Sequence, residues 1–195
     1  MLENFQSFNL TNKILILSFI MLIIGLIIQN LRARKLSKSH YIKQRIANKT
    51  IKYINKHWND ISPGGLIQLL RGTDPYAFEI ITLKALNEQP KVRKIFYSPS
   101  FSCDGGIDGR IRLKNKSKNT LIQVKRYSNH IKKQHVIDFI NVCKNHNTEG
   151  YFIHTGKTSK HTKELLKHSR VKLISGDNIY KLLSNLIIGT KHDIL

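Results

Sequence analysis

Hydrophobic positions change their spacing several times along this chain, and each change marks an element. Residues Ile14 to Ile28 read ILILSFIMLIIGLII without a charge. A helix of that run covers about 22 Å at ~1.5 Å per residue. Extended to Leu31 it approaches the ~30 Å hydrocarbon core of a bilayer, with Lys13 and Arg32 placed to snorkel. No face of it is polar, so a single membrane-spanning helix over about 13–31 is expected, rather than a core helix. A cleaved signal peptide is the rival. No small-x-small cleavage site follows, and Glu3 weakens a basic leader.

Residues 38–58 then predict a basic amphipathic helix with Ile42, Ile46, Tyr53, Ile54 and Trp58 on or near one side. It reads as a connector that could also lie on anionic lipid. Ser62-Pro63-Gly64-Gly65 breaks it, and Leu66–Leu70 reads as a short apolar turn before Arg71-Gly72-Thr73 breaks the chain again. Asp74-Pro75 is a helix start, with an N-cap acid and a first-turn proline. That helix should reach about Asn87. Glu79 lies on it among apolar neighbours, as either a boundary residue or an inward-facing ligand.

Short strands follow: Val92–Tyr97, Ile107–Leu113 and Thr120–Arg126. The third alternates, with Leu121, Gln123 and Lys125 on one face and Ile122, Val124 and Arg126 on the other. Lys132–Asn145 predicts a helix with Val136, Phe139, Ile140 and Cys143 inward. Gly150–Thr155 is a strand. Thr158 or Ser159 caps a helix reaching Ser169, Val171–Ile174 is a strand, and Asp177–Ile187 a last helix. The order predicts an α/β domain with a mixed central sheet flanked by helices, preceded by one transmembrane helix. The expected organisation is an anchor over 1–31, a basic helical connector over 32–73 and a catalytic domain over 74–195.

Charge sharpens this picture. The 195 residues hold 33 Lys and Arg against 12 Asp and Glu, a formal net charge of +21. Residues 1–31 contain one acid and one base, so all of the excess falls beyond them. Such a charge favours a polyanion by attraction and counterion release. Arg32, Arg34, Lys35, Lys38, Lys43 and Arg45 crowd the C-terminal flank of the apolar run, which places that side in the cytoplasm. Two cysteines, Cys103 and Cys143, imply no disulfide framework, and no Cys/His spacing suits zinc.

In a chain so poor in acids, Asp104-Gly-Gly-Ile-Asp108-Gly109 holds two in one glycine-rich turn, and Gln123-Val-Lys125 follows 123 − 108 = 15 residues after Asp108. Aspartate beside glycine commonly only makes a turn. Placed beside the alternating strand, the same residues suit phosphodiester hydrolysis. That reaction needs a divalent metal to polarise phosphate and activate water, and a cation to neutralise developing charge. Magnesium takes oxygen ligands and keeps several waters. Asp108 offers a carboxylate and Gln123 an amide oxygen or its strand carbonyl. Lys125, two residues on, points to the same face, and Glu79 could add a second carboxylate.

Phe78-Glu79, DGGIDG, QVKRY, Val136 with Phe139, GYFIHTGKTSK and VKLISGDNIYKLL resemble the catalytic domain of Mrr-like restriction endonucleases over about residues 74–185. These belong to the PD-(D/E)xK nuclease superfamily, in the branch where Gln replaces the usual acid. The resemblance implies a restriction-endonuclease-like fold, DNA as substrate and Mg2+ or Mn2+ as cofactor. It also implies that Asp108 is the metal-binding acid, Gln123 the second motif position, Lys125 the catalytic lysine and Glu79 the helix acid, with Asp104 a less essential acid. Arg126, Tyr127, Lys132 and Lys133 are expected on the phosphate backbone, with packing as the other reading of Tyr127. His130, His135, His146 and His154 are read as surface or packing residues, and Thr155, Lys157 and Ser159 as either caps or an anion site. Two other functions stay open: a junction-resolving or repair nuclease of the same superfamily, and a non-catalytic membrane-tethered DNA-binding protein. A homodimer would allow double-strand cutting.

Overall fold

The computed structural model describes residues 2–97 and 106–195, except for the side chains of 2–11, 13 and 34–38. Eleven elements follow one another: α1 (Leu2–Lys56), α2 (Pro63–Gly72), α3 (Pro75–Asn87), β1 (Val92–Tyr97), β2 (Gly109–Leu113), β3 (Thr120–Lys125), α4 (Lys133–Asn145), β4 (Gly150–His154), α5 (Lys160–Lys167), β5 (Val171–Ile174) and α6 (Asp177–Ile188). The chain divides into two units, Met1–Ile42 and Lys43–Leu195. In the first, Ile14–Ala33 has a mean hydropathy of 2.6 with none of it buried, and is long and apolar enough to cross a membrane.

In the second unit five strands lie in the order β1-β2-β3-β4-β5. The first two pairings are antiparallel and the last two parallel. Strand β4 is buried at every residue, as a parallel strand covered on both faces must be. On one face Ile122, Val124, Tyr151 and Ile153 meet α3, α6, α2 and the end of α1. On the other, Leu121 and Phe152 meet Val136, Phe139 and Cys143 of α4 and Leu166 of α5. Gly150 admits this second layer: a Cβ there would stand 2.5 Å from Cys143 Sγ and 2.7 Å from Phe139 Cε1.

The strands and the helices beyond Asp74 fall where the sequence places them, within a residue or two at most ends. The α3 start is as expected: Asp74 caps it by accepting from the Tyr76 and Ala77 amides, both at 3.0 Å. Two details upstream differ. The expected turn at Leu66–Leu70 is helix α2, because Ser62 accepts from the Gly65 amide and Pro63 occupies the first turn, so both glycines are carried inside a helix. The inward stripe of the preceding helix is Ala47, Ile51 and Ile54, joined by Trp58 in the turn just past its end, whereas Ile42, Ile46 and Tyr53 are exposed. The stretch read as a connector therefore also supplies core, with Trp58 stacked on Tyr180 of α6 at 4.6 Å between ring centroids. Cys143 is buried and free. Asp104, Gly105 and Cys103 lie outside the described residues.

Candidate active site

Strand β3 presents Gln123 and Lys125 on the face it shares with Leu121, opposite to Ile122 and Val124. Gly109 pairs with Ile122, and the Asp108 amide donates to the Ile122 carbonyl at 2.9 Å, so the register brings Asp108 opposite Gln123. The Val124 amide then donates to Asp108 Oδ2 at 2.6 Å. The carboxylate thus takes a ladder position where β2 begins, between Gln123 and Lys125, and this bond fixes its direction.

Gly106 completes the turn. It has φ +81°, a left-handed conformation that glycine adopts without strain, and a Cβ there would overlap the Gln123 carboxamide nitrogen. Gln123 is only 5% exposed, and its Oε1 is buried without a hydrogen-bond partner among the described residues. A buried acceptor left unpaired costs roughly 1–3 kcal/mol, so this oxygen is set up for a ligand that supplies the missing contact.

Lys125 is half-buried and pairs in register with His154 of β4. Its charge helps hold the His135 imidazole below the ordinary histidine range, after burial and together with Lys132, while Asp138 opposes the effect. Glu79 is half-buried on α3, which covers the other face of the sheet. It sits one turn before Leu83, whose Cδ2 would lie 2.9 Å from a Cβ on Gly109. The structure therefore brings Asp108, Gln123 and Lys125 together around Gly106, whereas Glu79 lies on α3, the helix that packs on the opposite face.

The carboxyl ends of β3 and β4 are tied together beside Lys125. Thr155 Oγ1 accepts from the Tyr127 amide at 2.9 Å and donates to the Tyr127 carbonyl at 2.8 Å. Tyr127 Oη meets His135 Nδ1 at 2.6 Å, and burial pushes the phenol up to about 12. Tyr127 thus joins the ends of β3 and β4 to α4. Arg126 donates to the Arg71 carbonyl, and Lys132 and Lys133 stand exposed at the start of α4. His154 is fully buried, with Nδ1 accepting from the Gly156 amide and Nε2 meeting the Thr158 hydroxyl, both at 3.2 Å. Burial pushes it down to about 4. Ser159 caps α5 by accepting from the Thr162 amide at 3.2 Å.

One residue escaped the sequence reading. Arg71 donates from Nε and Nη2 to the Thr155 carbonyl, at 2.9 and 2.7 Å. No local pattern announces this contact, since its partner lies 84 residues away.

The residues fit a hard divalent cation. Among the described residues no three of His, Cys, Asp and Glu converge. A carboxylate and an unpaired amide oxygen suit magnesium, which retains several waters of its own.

Residues 70–183 match the family model of the Mrr-type catalytic domain, a restriction endonuclease. The chain belongs to that family. No curated protein matches it. Among solved structures it is similar to the MspJI restriction endonuclease in complex with a 27-mer oligonucleotide, with 16% identity and a TM-score of 0.44. The likeness covers 76% of this chain and 38% of that one, so the chain spans well under half the length of MspJI. This Mrr-type domain contains every candidate catalytic residue named from the sequence, Glu79 included.

Proposed function

We propose that the protein is a membrane-anchored, Mg2+-dependent DNA endonuclease. One observation carries the reading: Asp108 and the unpaired Gln123 Oε1 share a face with Lys125 inside an Mrr-type domain. Asp108 and Gln123 would hold the metal, with Glu79 as a further carboxylate. The metal would supply Lewis-acid polarisation of the phosphate and a water of lowered pKa. Asp108 keeps its carboxylate aimed through the Val124 amide. Lys125 lends positive charge to the developing phosphorane oxygens and orients the attacking water. Arg126, Lys132 and Lys133 steer the backbone toward this point, and Tyr127 holds the strand end that carries Lys125. DNA as the polyanion agrees with the +21 charge and with the family.

The N-terminal unit is read as a single-pass anchor in the cytoplasmic membrane, its basic C-terminal flank and the nuclease domain on the cytoplasmic side. Restriction of foreign or modified DNA suits that position, and a second copy would provide for the second strand.

Full-length protein in detergent should nick or cut plasmid DNA when magnesium or manganese is added. Asp108→Ala and Lys125→Ala should each lower cutting by about a hundredfold to a thousandfold, the order lost when a main charge-stabilising group is removed, while the fold persists. Full activity in both variants would sink the assignment. A marked preference for four-way junctions over linear duplex would instead favour a resolving nuclease.

A further inference from the structure

The catalytic face of the sheet continues past β3 onto two strands whose residues have no role so far. Arg110 pairs with Leu121, Phe96 with Arg110, and Lys94 with Arg112, so all four residues share the face of Gln123 and Lys125. On this side α4 packs over β4 and β5. Over β1 and β2 the described residues on this face stand in solvent: Phe96 is 38% exposed, Lys94 is exposed, and Arg110 and Arg112 are half-exposed. Lys94 Nζ stands 4.9 Å from the Phe96 ring centroid, and Arg112 Nε donates to Asn119 Oδ1 at 2.6 Å.

Three cations and an aromatic ring therefore form one patch without an acid among the four. None of the three cations has an ion-pair partner among the described residues. Its rows follow those of the catalytic face: Asp108 with Gln123, then Phe96 with Arg110, then Lys94 with Arg112. Each step is two residues, about 7 Å. An outward phenylalanine on a strand that spends its neighbours on positive charge has little to gain from water. Flat aromatic surface beside cations is what a nucleic-acid strand uses, phosphates on the charges and sugar or base on the ring.

We propose that this open β1–β2 face is the docking track for the DNA strand leading to the cleavage point. Lys94, Arg110 and Arg112 take successive phosphates, and Phe96 packs against a sugar or base. This rests on the nuclease reading above. The occupant is argued from charge complementarity and from continuity with the row that holds Asp108.

The test is binding of a short labelled DNA duplex to full-length protein in detergent, with metal chelated so that nothing is cut, across a salt series. The double variant Lys94→Gln, Arg110→Gln should bind at least tenfold more weakly and show a salt dependence shallower by about two, one for each phosphate no longer neutralised. Arg110→Lys should keep the steep slope. Phe96→Ala should weaken binding severalfold and leave the slope unchanged. Lys94 and Phe96 are exposed, so their removal leaves the core intact, and thermal melts check this. Wild-type affinity and slope in the double variant would overturn the track while leaving the nuclease reading in place. Loss of a dimer with DNA binding intact would also overturn it, in favour of a second copy on this face. Absence of DNA binding by the wild-type protein would overturn both readings together.

Discussion

At the scale of single residues, the turn before β2 decides whether Asp108 and Gln123 can act together. Gly106 holds φ +81° with its backbone against the Gln123 carboxamide. Alanine there would strain the backbone by about 1–2 kcal/mol and push the amide from its place. Gly106→Ala should lower the denaturation free energy by about that amount and reduce magnesium-dependent cutting at least tenfold. Equal loss of stability with unchanged cutting would separate the turn from the site. That Gln123 and Lys125 share a face was legible because alternation along one strand fixes which side chains lie together. The closeness of Gly106 to Gln123 was not, since it depends on how a loop folds back over a neighbouring strand. Tyr127 shows the same limit. Its position beside two cations suits phosphate, yet Thr155 and His135 engage its backbone and its hydroxyl.

At the scale of elements, turn residues and periodicity located the strands and most helices, because those signals are local. Helix α2 was hidden by Gly64 and Gly65, whose usual breaking effect is outweighed by the Ser62 cap and by burial of Leu66 and Leu70. Its far end does work that no local signal reveals. Arg71 grips the Thr155 carbonyl with two donors, and its own carbonyl accepts from Arg126, so α2 is tied to the carboxyl ends of both β3 and β4. Arg71→Ala should cost about 1.5–3 kcal/mol, the range for hydrogen bonds to a charged group. Amide hydrogen exchange at Thr155 to Thr158 should speed up while β5 is unaffected, and cutting should fall with them. Uniform acceleration across the sheet would mean a general loss of stability instead of a loosened strand end.

At the scale of the whole molecule, one buried histidine, His154, ties the stability of the fold to pH. It is fully buried between Phe152, Tyr127 and the Thr158 hydroxyl, and burial holds its pKa at about 4 against 6.5 in an open chain. Above pH 6.5 neither the folded nor the unfolded chain carries that proton, and His154 adds no pH dependence. Between 6.5 and about 4 the unfolded chain binds it and the folded chain does not, so stability falls as the pH falls through this window. Below about 4 the loss is complete, at up to roughly 3 kcal/mol. Trp58, the single tryptophan, is buried and reports unfolding of the Lys43–Leu195 unit. Denaturant midpoints followed by its fluorescence should drop between pH 7 and 5. In His154→Gln, which cannot titrate there, the same profile should be flatter whatever its absolute stability, and an equally steep profile would assign the acid sensitivity to other groups.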